Sequence, residues 1–144
     1  MRISQPVLRI RNFLALTDLA VNAGIVTVLA TATLIAQAGP YNVSVGDLFI
    51  FSISCQMVKG ATTGNSSFSL FQSAGTGTVI FQAGSFQAWN IVVHTNGVGW
   101  TDWRCLIGRC TIAGTATFQL TGVSAGSNST VAANAGRIGV EVYR

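Results

Sequence analysis

The stretch Asp47 to Lys59, DLFIFSISCQMVK, decides how this chain is read. Phe49, Phe51, Ile53, Cys55 and Met57 recur at every second position, and Ser52, Ser54 and Gln56 fall between them. A period of two sends successive side chains to opposite faces of an extended backbone, so this is a long half-buried antiparallel strand. Working outward, the same alternation returns at Pro6 to Asn12, Ile25 to Ile35, Ser67 to Gln72, Thr78 to Gln82, Trp89 to His94, Trp103 to Ile112, Ala116 to Val123 and Arg137 to Tyr143. In the final run Ile138, Val140 and Val142 share one face and Glu141 and Tyr143 the other, which ties that segment into a sheet. Turn residues punctuate the runs at Gly39-Pro40, Gly60 to Asn65, Ala74 to Gly77, Asn96 to Gly99 and Gly122 to Asn134, where breaks are expected.

Nine or so short strands without a convincing long helix imply an all-β sandwich or barrel. A chain of 144 residues is enough for one sizeable core and needs no second domain. The reading is a single domain over residues 13–144, preceded by an arm or edge strand over 1–12.

Composition points away from catalysis. Only 8% of residues are charged, against roughly 25% in an ordinary soluble domain. The carboxylates are Asp18, Asp47, Asp102 and Glu141, and the one histidine is His94. A surface this poor in charge is prone to associate, which suggests that much of it is hidden in an assembly. The net charge of +4 rests on seven arginines and one lysine, Lys59, and Arg2, Arg9 and Arg11 lie in the first eleven residues. There they alternate with Val7, Leu8 and Ile10, unlike the dense basic runs that neutralise phosphates, so a protein surface is the expected partner and direct nucleic-acid binding is not.

The candidate residues lack the company that specific chemistry requires. No G-x-S-x-G elbow supports a Ser-His-Asp hydrolase, and Gly75-Thr-Gly77 lacks the Gly-Lys-Ser ending of a phosphate loop. A glycosidase would need two carboxylates facing one bond, whereas Asp47 follows Gly46 at a turn and Asp102 has Arg104 nearby to pair with. His94 reads as a strand-end side chain. Cys55, Cys105 and Cys110 contain no C-x2-C pair for zinc, and Cys105 and Cys110 point to opposite faces of a strand and cannot bridge, so all three are expected to be small buried hydrophobes. No catalytic residue, cofactor or metal is expected. Three N-x-S/T triplets, at Asn42, Asn65 and Asn128, are set aside as chance matches in a chain rich in these residues.

The apolar run Phe13 to Ala36 follows a basic start and raises a secretion leader or membrane anchor. Asp18 and Asn22 in its middle, Gly24, and Thr27, Thr31 and Thr33 in a β-branched run favour strand instead. No membrane partner is expected.

Four segments taken together carry a resemblance: Phe68-Ser-Leu-Phe-Gln72, Gly77-Thr-Val-Ile-Phe81, Trp103 to Gln119, and Arg137-Ile-Gly-Val-Glu-Val142. As an order of motifs over about residues 45–144 the chain resembles structural proteins of tailed bacteriophages, predominantly jelly-roll domains similar to the tumour-necrosis-factor-like trimers. The resemblance implies an antiparallel jelly roll of about 8–10 strands, a homotrimer, and a place on the virion, where such proteins cement or decorate the capsid or sit at tails and fibres. The partner it implies is the major capsid protein, reached by a terminal strand.

On that basis the arm residues Arg2, Val7, Arg9, Ile10 and Arg11 are candidates for capsid contact. The aromatic residues Phe81, Phe86, Trp89, Trp100 and Trp103 are candidates for the trimer interface. Two alternatives remain. One is a tail or fibre head using the loops Gly60 to Asn65 and Gly122 to Asn134; the other is a secreted β-sandwich adhesin whose first 38 residues are a leader. A fibre head usually follows a long shaft, and a short arm favours cement.

Overall fold

A computed structural model of the chain describes residues 13–60, 64–82, 86–94 and 99–144, with the backbone alone at 64, 86–94 and 99–102. Every regular element among the described residues is a strand: β1 Leu14–Val21, β2 Val26–Val28, β3 Thr33–Val43, β4 Leu48–Lys59, β5 Gly64–Ala74, β6 Thr78–Phe81, β7 Phe86–His94, β8 Gly99–Ile112, β9 Gly114–Ser124, β10 Ser129–Val131 and β11 Gly136–Tyr143.

The strands form two antiparallel sheets. In the first, β4 carries β11 and then β10 along one edge and β8 along the other; β1 and β2 lie outside β11 and β10, and β6 lies outside β8. Since β1 with β2, and β10 with β11, are each one strand broken by a turn, the order reduces to β1/β2, β10/β11, β4, β8, with β6 added. The second sheet is β3, β9, β5, β7. With the broken pairs merged and β6 set aside, eight strands remain, ordered 1-8-3-6 facing 2-7-4-5, which is a jelly roll.

The fold-deciding stretch keeps its reading. Phe49, Phe51, Ile53, Cys55 and Met57 are all buried, and the same phase continues to Lys59. Phe49 and Phe51 meet Phe118 of the opposite sheet, whose ring centre lies 4.7 Å from that of Phe51 and 5.6 Å from that of Phe49. Phe118 thereby ties the sheets together, each such side chain contributing roughly 1.5–3 kcal/mol through burial.

Several boundaries differ from the sequence reading, for local reasons. Gly39-Pro40 is no break: β3 runs through it, with a register shift between Ala38 and Tyr41. Gly39 takes a left-handed φ of 98°, and a Cβ there would come within 2.8 Å of the Ala116 carbonyl oxygen, so glycine lets the bulged strand continue. The run Ile25 to Ile35 is two strands, β2 and β3, separated by a turn. The run Gly122 to Asn134 holds the end of β9 and all of β10. β1 was hidden inside the apolar segment Phe13 to Ala36, and no described helix is long and apolar enough to cross a membrane. The expected strand Pro6 to Asn12 lies outside the described residues.

The breaks in β1/β2 and β10/β11 lie side by side, and Asn22 joins them. Its buried side chain donates to the carbonyls of Gly24 (2.8 Å) and Ala132 (2.7 Å) and accepts from the Gly136 N–H (2.7 Å). One amide thus satisfies three backbone groups that the broken ladder would leave unpaired.

Candidate interaction surface

Antiparallel partners share a face, so the register assigns each side of the first sheet. Ile138, Val140 and Val142 pair with Ile53, Phe51 and Phe49 and point inward. Outward, Tyr143 pairs with Leu48 and Glu141 with Ile50 on one side, and Arg109 and Ile107 pair with the same two residues on the other. Ser52 has Gly139 and Cys105 as neighbours, and Ser54 has Arg137 and Trp103.

This outward face is only half polar. Ile107 is 43% exposed, Ile80 45% and Trp103 65%, and Leu48 and Ile50 are half-buried between them. Leu48, Ile80, Gln82, Ile107, Gly108 and Arg109 line a shallow groove of about 220 Å³. The second sheet presents mainly hydroxyls and amides outward: Ser67, Ser69, Thr121, and Gln119 donating to Gln37 across strands at 2.8 Å, with Leu34 and Phe71 among them. Among the described residues, the outward face of the first sheet carries the larger group of apolar side chains, which suits it to another protein surface.

The two poles of the sandwich differ. At the first, Phe13 and Arg144 exchange both backbone hydrogen bonds (2.8 and 3.0 Å), and the Arg144 guanidinium bonds the buried Asp47 carboxylate at 3.2 Å and the Asn42 carbonyl at 3.0 Å. Asp47 also accepts from the Ser44 N–H at 2.9 Å, closing the turn before β4 as its position after Gly46 suggests. The arm therefore joins the body at this pole. Beside it lies a cleft of about 280 Å³ lined by Ala15, Leu16, Pro40, Tyr41, Asn42 and Val142 together with Arg144. The Tyr41 hydroxyl donates to Asp18 at 2.6 Å; burial, followed by this bond, drives the phenol pKa well above its ordinary value.

At the opposite pole the chain's single lysine is buried. Lys59 is 2% exposed and donates to the Ser124 hydroxyl at 2.8 Å, to the Ser127 carbonyl at 2.9 Å and to the Ala125 carbonyl. Ser124 shares a hydrogen bond of 2.7 Å with Ser129, and the hydroxyl of Ser66, in register with Ser124, is buried without a partner. Burial lowers the Lys59 pKa. All three ammonium protons are used to hold the loop after β9, so the arrangement is a staple, with every donor engaged.

The sequence candidates scatter. Arg2, Val7, Arg9, Ile10 and Arg11 lie outside the described residues. Phe81 is 1% exposed, packed 5.3 Å from Phe51, so it belongs to the core and is removed from the interface candidates. Phe86, Trp89 and Trp100 fall on β7 and β8 at positions whose side chains lie outside the described residues, as does His94 at the end of β7. Trp103 is the candidate the structure places on the outward face. The expectation of three buried cysteines is corrected: Cys55 and Cys110 are buried, whereas Cys105 is exposed beside Ser52, and none of the three forms a disulfide.

Sequence reasoning put Glu141 on the face away from the core but missed Ile50, Ile80, Ile107 and Arg109 as residues of the same surface. The signal was present in β4 and β8, where both phases of the alternation carry large apolar residues, as in a strand covered on two sides. Among the described residues no group of three or more His, Cys, Asp or Glu side chains could hold a metal ion. No protein-family model matches the chain, and no curated protein matches it.

Proposed function

We propose that this protein is a structural part of a tailed-phage virion, a cement or decoration protein that works as a homotrimer on the capsid surface. The observation that carries the reading is the outward face of the first sheet, where Ile50, Ile80, Ile107 and Trp103 form a half-apolar platform on a chain with 8% charged residues. Packing three copies by that face removes it from water.

The poles support a division of labour. The basic, apolar-interleaved arm precedes Phe13, which pairs with Arg144 at the first pole, and its Arg2, Val7, Arg9, Ile10 and Arg11 are the residues that would engage the major capsid protein. Three arms on one trimer bind with the combined strength of several weak contacts. The stability of the shell against packaged DNA is then the function, without catalysis, cofactor, direct nucleic-acid contact or membrane.

Co-sedimentation of the purified protein with empty capsid shells tests this. Saturable binding to shells is the expected result. A protein that ignores shells and attaches to host cells is a fibre head; one that does neither contradicts the proposal.

A further inference from the structure

The described carboxylates on or near the surface have different fates. Asp47 is paired with Arg144 and Asp18 with the Tyr41 hydroxyl, whereas Glu141 stands on the outward face of the first sheet, where its contact is the Tyr143 hydroxyl at 2.7 Å. Arg109 stands on the same face, beside the apolar groove. Glu141 pairs in register with Ile50, and Arg109 is in register with Leu48 on the other side of β4. They are therefore two strands apart and offset by two residues, roughly 12 Å between backbones, and these two described residues form no ion pair with each other within one chain. The ion pair that the described residues form is Arg144 with Asp47.

A half-apolar face that holds Glu141 on one side of a strip of isoleucine and Arg109 on the other, with Arg137 further along β11, offers a second copy of itself an acidic and a basic group to match. We infer that a second copy of this chain docks on this face, with Glu141 of each subunit against Arg109 of the next and Ile50, Ile80 and Ile107 packed between. The inference rests on the self-assembly reading above and adds the residues that set its register. Apolar area supplies the attraction, and the charge pair selects one orientation, because any arrangement that brings Arg109 against Arg109 or Arg137 sets like charges together. The pair also suits arginine, whose fork can engage both oxygens of a carboxylate.

Charge swapping tests it, with sedimentation equilibrium as the readout. Glu141→Arg and Arg109→Glu should each weaken the assembly by at least about tenfold. The double variant Glu141→Arg with Arg109→Glu should restore it, because the swapped charges meet again. Both side chains are on the surface, so an unchanged far-ultraviolet spectrum certifies the fold, the melting point being expected to fall with the lost association; the milder pair Glu141→Gln and Arg109→Gln serves if either reversal fails that check. Gln37→Arg on the opposite sheet should leave the mass unchanged. Single variants that dissociate without rescue in the double swap overturn the pairing and leave the face reading intact. Single variants with wild-type mass overturn the pairing too, and a wild-type protein that is a monomer overturns both.

Discussion

At the scale of single residues, buried polar groups do most to specify this fold. Asn22 was legible only as an anomaly, a polar residue in an apolar run, and its role needed two strand breaks that meet across 110 positions of sequence. Asn22→Ala strands the Gly136 N–H and the Ala132 carbonyl, and we expect a loss of about 2–4 kcal/mol in urea unfolding. Lys59 was equally opaque: the alternation of β4 put it in phase with the core, yet a lysine at a strand end reads as solvated. Lys59→Met should cost about 1–3 kcal/mol at pH 7, because Ser124 and two carbonyls lose their donor. The sign of the pH effect follows from burial. A lysine whose folded pKa is lowered binds its proton more readily when unfolded, so folding is penalised below the folded value and relieved as pH rises toward the ordinary value of about 10.4. The stability gap between wild type and Lys59→Met should therefore widen toward pH 10; a gap that narrows over that range would contradict the assignment.

At the scale of elements, alternation revealed most strands and hid what they face. β9, β11 and the part of β4 after Ile50 were plain because one phase is apolar and the other mostly small or polar. β1 was obscured by its apolar neighbours, and Gly39-Pro40 misled because a bulge lets β3 pass through residues that normally end a strand. The interaction face was the hardest part to read. The outward residues Leu48, Ile50 and Ile107 look like extra core in a one-dimensional pattern, and only the register shows that they share an exposed side. Trp103 was found because it is aromatic, and Phe81 was a wrong choice for the same reason: residue type does not tell the two faces apart. Ile107→Asp places a charge in the middle of this face, so it should leave the far-ultraviolet spectrum of the folded chain unchanged and abolish assembly, read by gel filtration with light scattering. Loss of folding instead would make Ile107 a core residue.

At the scale of the whole molecule, the jelly roll separates an arm pole from a loop pole and presents a self-complementary sheet between them. Deleting residues 1–11 removes the expected shell contacts and leaves every described strand intact, so the truncated protein should keep its assembly mass and stop co-sedimenting with shells. Full-strength binding by the truncated protein would move the shell contact to another surface. The most direct test of the central claim is the solution mass of the full chain by sedimentation equilibrium at micromolar concentration. The account predicts a trimer, three times the 15.0 kDa of one chain. A stable monomer would contradict it, since the half-apolar face would then lie open to water with nothing to cover it.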